Sequence, residues 1–194
     1  MDYTSFKVTT PPSVEPCSTT EAKTQLRIDT STEDTLIATY IASARETLER
    51  LMRRAFITQT ITLKLDKFPS GGAAIRLPRP PAQSVTSISY VDEDGATQTF
   101  TDYTLDTQQQ PASILLDYNV DYPSTRTQPN AVTIVYVAGF GDASTDMPSA
   151  IILAVKMLIG TFYENREATT VARVNELPLG IQMLIAANEI PEVM

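Results

Sequence analysis

Residues 34–65 read DTLIATYIASARETLERLMRRAFITQTITLKL, and the hydrophobic period changes inside this stretch. Leu36, Ile37, Tyr40, Ile41, Ala44, Leu48, Leu51, Met52 and Ala55 recur at helical spacing, which predicts a helix over Thr32–Arg54. Arg45, Glu46, Glu49, Arg50 and Arg53 then form its outer face. Glu46–Arg50 and Glu49–Arg53 are four apart in the favourable order, each worth about 0.2–0.5 kcal/mol on an exposed helix. Arg50, Arg53 and Arg54 fall in the last turn, where cations complement the helix dipole. From Thr58 to Leu65 apolar and polar residues alternate and β-branched residues dominate, which is the period of a strand. A helix hands over to a sheet.

Upstream, Ser18-Thr19-Thr20-Glu21 has the spacing of a capping box and predicts a short helix from Thr19 to about Arg27. Ser31-Thr32-Glu33-Asp34 opens the long helix with acids in its first turn. Downstream, the period of two persists to Gly139. Strands are expected at Ala74–Leu77, Val85–Val91, Thr97–Phe100, Tyr103–Asp106, Ser113–Asp117 and Ala131–Ala138. Asp92-Glu93-Asp94-Gly95 is a hairpin turn by its chemistry. Pro78, Pro80 and Pro81 mark a loop, and Asn119–Asn130, with Pro123 and Pro129, reads as a long exposed one.

The helical period returns after Pro148. Ile151, Ile152, Leu153, Val155, Met157, Leu158, Ile159, Phe162 and Tyr163 make that segment apolar nearly all round, so it is expected to be surrounded by protein. The run Ala150–Tyr163 contains Lys156 and is too short to cross a bilayer, so no membrane association is expected. The polar start Met1–Thr10 lacks the pattern of a signal peptide. The predicted fold is therefore α+β, with N- and C-terminal helices packed together and an antiparallel β-rich insertion between them. The expected parts are an N-terminal helical part (1–57), the β-rich insertion (58–141), a core helix completing the helical part (142–165), and a linker with a C-terminal docking helix (166–194).

Composition narrows the chemistry. The 194 residues carry a net charge of −8, one cysteine and no histidine. Without histidine there is no Ser-His-Asp or Cys-His nucleophile system and no imidazole zinc site. The lone Cys17 cannot form an internal disulfide or a thiolate cluster and reads as a small apolar filler. No phosphate-binding glycine loop is present, and Gly139-Phe140-Gly141 reads as a turn between strand and helix. Asp92, Glu93 and Asp94 lack the spacing of a calcium loop. The chain has no tryptophan and no evident aromatic platform for a sugar. The acidic balance argues against tight phosphate-backbone binding. No catalytic, cofactor or metal site is expected.

Several stretches together resemble a known family, the head-to-tail connector or adaptor proteins of tailed bacteriophages, related prophages and gene transfer agents. The first is Thr20-Glu21-Ala22-Lys23-Thr24-Gln25-Leu26-Arg27-Ile28-Asp29, followed by Asp34 to Ile41 and Ala44-Arg45. The second is Val135-Tyr136-Val137-Ala138-Gly139-Phe140-Gly141 with Met147-Pro148. The third is Tyr163-Glu164-Asn165-Arg166-Glu167, then Leu177-Pro178-Leu179-Gly180. The extreme C-terminus, Ala186-Ala187-Asn188-Glu189-Ile190-Pro191, departs from the family's cluster of small, aromatic and basic residues.

The resemblance implies a structural virion protein, made in the bacterial cytoplasm and seated in the neck between head and tail. It implies a homo-oligomeric ring, typically dodecameric, that meets the portal protein and stopper or tail proteins. DNA would pass through its channel without sequence-specific binding. A tail terminator or stopper of the same particle, and a β-rich carbohydrate- or protein-binding module, are the alternatives. The layout after Arg166 also suggests a partner-binding segment: a polar linker, then a small apolar helix. Its candidate contact residues are Arg166, Glu167, Leu177, Leu179, Ile181, Leu184 and Ile185. The same helix could instead fold back onto its own domain.

Overall fold

A computed structural model describes residues 3–166 and 177–190. They fall in two compact units. Of the described residues, one holds 3–12 together with Thr58–Gly139, and the other holds Ser13–Ile57, 140–166 and 177–190.

The second unit is helical. Helix α1 (Thr19–Leu26) starts at a complete capping box: the Ser18 hydroxyl accepts from the Glu21 N–H at 3.2 Å, and the Ser18 N–H donates to Glu21 Oε2 at 2.9 Å. Helix α2 (Asp34–Met52) ends at Arg53, whose φ of 56° is left-handed and whose N–H returns to the Glu49 carbonyl. Helix α3 (Ser149–Glu164) and helix α4 (Leu179–Asn188) complete the unit. Ile37, Ile41, Leu48 and Met52 of α2 share one core with Ile151, Val155, Leu158 and Ile159 of α3. The terminal helices thus pack together, as the two apolar stripes predict.

The outer face of α2 needs correction. Arg45 and Glu49 are buried, at 7% and 5% exposure, whereas Leu51 of the apolar stripe is 40% exposed. The reason is non-local. Glu15 reaches Arg45 from the segment before α1, with Nε to Oε2 at 2.8 Å. Arg45 Nη1 donates to Glu49 Oε2 at 3.2 Å, and Glu49 Oε1 accepts the Phe56 N–H at 2.8 Å. Burial disfavours the Arg45 charge, but Glu15, Glu49 and Glu46 more than compensate and hold its pKa above the ordinary value.

The other unit is β-rich. Strands β1 (Tyr3–Thr10), β2 (Gln59–Leu65), β4 (Ala82–Val91), β5 (Thr97–Thr99) and β8 (Val132–Ala138) form a sheet in the order β1-β2-β8-β4-β5. Strands β3 (Ile75–Arg76), β6 (Tyr103–Asp106) and β7 (Ser113–Leu116) form a second sheet in the order β3-β7-β6. Every strand pairing is antiparallel. Residues 3–10, read with the helical part from sequence, are in fact an edge strand of the larger sheet. Phe6 lies opposite Leu63 and Val8 opposite Ile61. Phe6 and Val8 alternate with Lys7 and Thr9, a short period-two signal that the polar composition around it hides.

Leu63, Ile134 and Ile88 stand abreast across the centre of the larger sheet and are buried. An aromatic cluster fills the unit: Phe68 stacks on Tyr122 at 4.8 Å and meets Phe100 and Tyr90 at 5.6 Å. The loop Asn119–Asn130 is therefore anchored by Tyr122, whose hydroxyl also donates to the Ala73 carbonyl. The Asp92–Gly95 turn closes as its chemistry predicts, with Gly95 at φ 91° and Asp92 Oδ1 accepting the Ala96 N–H.

Back in the helical unit, the turn after β8 explains its second glycine. A Cβ on Gly141 would stand 2.2 Å from Asp146 Oδ2, an oxygen that accepts the Ala143 N–H. The Phe140 N–H donates to the Phe56 carbonyl at 2.9 Å, and Ile57 and Gly141 form a parallel bridge.

Leu48 has no exposed surface and sits in the α2–α3 core. Leu48→Asp is expected to cost roughly 4 kcal/mol or more, because it buries an unpaired carboxylate in a close-packed site. Urea unfolding of the purified variant checks this; a loss under about 1 kcal/mol would show that α2 and α3 do not share a core.

Candidate functional site

The structure separates the predicted contact residues into two sets. Ile181 has no exposed surface and belongs to the helical core, with Leu177, Leu184 and Ile185 packed against it. The end of α4 is fastened as well: Arg54 Nε donates to the Asn188 carbonyl at 2.6 Å, and the Ile190 N–H donates to the Met52 carbonyl. Arg166 is held by its own unit. Its guanidinium pairs with Glu33 Oε1 at 2.9 Å and lies 4.4 Å from the centre of the Tyr163 ring. The Tyr163 hydroxyl also donates to Glu33, and these two partners hold the Glu33 carboxyl below its ordinary pKa. Glu167 lies outside the described residues.

Of the apolar residues of the set, Leu179 is the one that points outward, at 71% exposure. Beside it on α4, one turn on, is Met183 at 66%, a residue not singled out from sequence. Its signal was present, because LGIQMLIAAN carries no charge and is apolar on both faces. Among the described residues, the face with Ile181, Leu184 and Ile185 is the one packed on the helical core. Leu153 of α3 is also half exposed, at 48%.

The positions of α1 and α4 follow from two neighbouring residues of α3. Lys156 pairs with Glu21 of α1 at 3.1 Å. The Met157 methyl lies 3.1 Å from where a Cβ on Gly180 of α4 would stand. Consecutive helical residues point about 100° apart, so α1 and α4 meet α3 about that far apart around its axis. Leu153 falls between the two directions. On the α1 flank an open hollow of about 580 Å³ is lined by Val14, Cys17, Ala38 and Ile41, with Glu15, Glu21 and Asp142 around it.

Cys17 offers no chemistry there. Burial, and then the charge of Glu21, push its thiol up to about 11. Among the described residues, no group of three His, Cys, Asp or Glu side chains is placed to hold a metal ion, and no helix is long and apolar enough to cross a membrane. Asp92 is engaged in its own turn, where Gln98 and the Ala96 N–H hold its pKa below the ordinary value.

Residues 18–106 match the model of the family described as phage gp6-like head-tail connector protein. This segment runs from α1 to β6, and over it the chain is similar to the head-tail connector family. No curated protein matches the chain. Among solved structures, one chain from the neck of an empty gene transfer agent (GTA) particle, computed with C6 symmetry, is 23% identical with a TM-score of 0.82. The match covers 98% of this chain and 97% of that one. A chain from the virion of a native GTA particle is 23% identical with a TM-score of 0.80, covering 97% of both chains. A third, from the neck of a native GTA particle computed with C12 symmetry, is 22% identical with a TM-score of 0.72 and the same coverage. The α+β fold is thus shared along nearly the whole chain.

Two outcomes follow from the geometry of α4 and Cys17. Ile181→Ala should lower stability by roughly 2–4 kcal/mol, while Leu179→Ala should stay within about 0.5 kcal/mol. Chemical denaturation of the full chain distinguishes them; equal effects would mean that α4 does not seat its Ile181 face on the core. Cys17 should resist alkylation at pH 8 in the native protein and react once urea unfolds it, since its thiol stays protonated there. Fast labelling of the native chain would contradict this.

Proposed function

We propose that this chain is a structural subunit of the neck of a tailed-phage-like particle, joining head to tail as a ring. The observation that carries this reading is the likeness over 98% of the chain to a GTA neck chain, joined with the connector-family match over residues 18–106. The C12 and C6 symmetries of the neck structures support a ring, and a dodecamer is its expected form. Each subunit then meets identical neighbours through a repeated head-to-tail contact that closes on itself.

In this role the protein is not an enzyme and needs no cofactor. Its partners are further copies of itself, the portal protein on the head side and stopper or tail proteins on the other. DNA passes through the channel, and a net charge of −8 fits a wall that does not retain phosphates. The segment from Arg166 onward is the proposed partner-binding part. Within it the exposed Leu179, joined by Met183, makes the contact, while Ile181, Leu184 and Ile185 hold the helix on its own unit. A tail terminator or stopper role, or a carbohydrate-binding β-module, draws no comparable support.

Native mass analysis of the chain alone and with the portal of its particle tests the reading, together with quantitative proteomics of purified particles. The expected result is a portal-bound ring and twelve copies per particle, as in a C12 neck. A chain that is absent from purified particles and does not associate with the portal overturns it.

A further inference from the structure

Acidic residues are unevenly placed in the β unit. Strands β1, β2, β4, β5 and β8, which make up the larger sheet, contain no Asp or Glu. In the same unit, acids stand on turns, loops and the smaller sheet, among them Asp92, Glu93, Asp102, Asp106 and Asp117. One face of the larger sheet is buried, with Leu63, Ile134 and Ile88 abreast. Side chains alternate between the faces of a strand, so the residues between them point the other way.

On that outer face Lys7, Thr62, Val135 and Ser87 stand in one row. Lys64, Thr133, Ser89 and Thr99 stand in the next. Both lysines and Thr99 are exposed, and the other members of the two rows are partly so. Five strands about 4.8 Å apart make a face about 19 Å across, which is wider than the major groove of a DNA duplex at about 12 Å. Strands disfavour acids in general, but the two lysines give this face a positive sign in an acidic chain. A polyanion is repelled by acids and held fast by clustered bases. This face has no acid on its strands, two bases, and rows of hydroxyls, which are ordinary partners of phosphate oxygens.

We propose that the outer face of the larger sheet is the surface each copy turns toward DNA in the channel. It meets phosphates through Lys7, Lys64 and the hydroxyl rows, without regard to base sequence, and two lysines per copy are too few to hold the duplex in place. This rests on the neck reading above and assigns the channel wall to one face of the β unit. The occupant is duplex DNA and not a neighbouring protein.

Amine acylation of intact wild-type particles, DNA-filled and emptied, read out by mass spectrometry, tests the face without altering the chain. Lys67 is the internal control: it is exposed in the same unit but lines a separate hollow with Phe68, Asp121 and Tyr122. Lys7 and Lys64 should react in emptied particles and lose most of that reactivity in filled ones, while Lys67 reacts alike in both. Equal reactivity of Lys7 and Lys64 in the two states overturns the proposal, because DNA then does not reach them. Failure to react in either state shows that protein covers the face, and a parallel loss at Lys67 shows general shielding; both also overturn it. These results leave the neck assignment standing, whereas a chain absent from purified particles removes both. A diazirine amino acid in place of Thr62 adds a test of contact. Irradiated filled particles should yield a chain joined to DNA, and the same group in place of Glu93 should yield none. Adducts of the Thr62 position with protein alone, or DNA adducts from the Glu93 position alone, mean that another surface lines the channel.

Discussion

Arg45 lies almost out of solvent among three carboxylates, and the organisation of the helical unit depends on it. Glu15 reaches it from the segment just before α1, and Glu49 lies one turn further along α2. The other oxygen of Glu49 accepts the N–H of Phe56, just before β2 begins. Phe56 in turn accepts the N–H of Phe140, which follows β8. The chain passes between the two units after Pro12, after Ile57 and after Gly139, and on the helical side all three passages lead into this one chain of hydrogen bonds. Removing one member of a buried ion pair costs about 3–5 kcal/mol, because the remaining charge stays buried without a partner. Such a network adds little net stability over an apolar core, but it fixes which segments meet.

The β unit is organised by a different principle. Its core is apolar and aromatic, built where inward residues of neighbouring strands stand abreast. Tyr136 illustrates the compromise a large aromatic makes. Its ring is fully buried in the sheet, and its hydroxyl still finds the Pro78 carbonyl at 2.5 Å. Phe68 and Tyr122 bring two loops onto the same cluster, so that a stretch rich in proline and polar residues acquires a fixed position.

Two candidates for chemistry are engaged structurally: Cys17 is buried, with its thiol pushed up to about 11, and Asp92 closes a turn. What stays exposed is apolar area on α4 and α3, and an open hollow lies beside α1. The proposed neck role rests on the likeness to GTA neck chains and on the segment similar to the connector family.

Much of the fold was legible in the residues. The switch of period at Thr58, the capping box at Ser18–Glu21, the Asp92–Gly95 turn and the return of helical spacing after Pro148 are local signals, each written within a few positions. Local signals determine which elements form and, through their order, the α+β class. They do not determine which charge goes inside. Arg45 and Glu49 look like surface residues because helical spacing cannot show that Glu15, thirty positions away, would complete their pairing. Nor could the short alternation of Phe6 and Val8 with Lys7 and Thr9 assign β1 to its sheet, because Phe6 faces Leu63 and Val8 faces Ile61 across more than fifty residues of chain. For α4, composition shows a helix apolar on both faces, and only the packing on α2 and α3 decides which face is left over. Burial and pairing are properties of the assembled unit, set by partners distant in sequence.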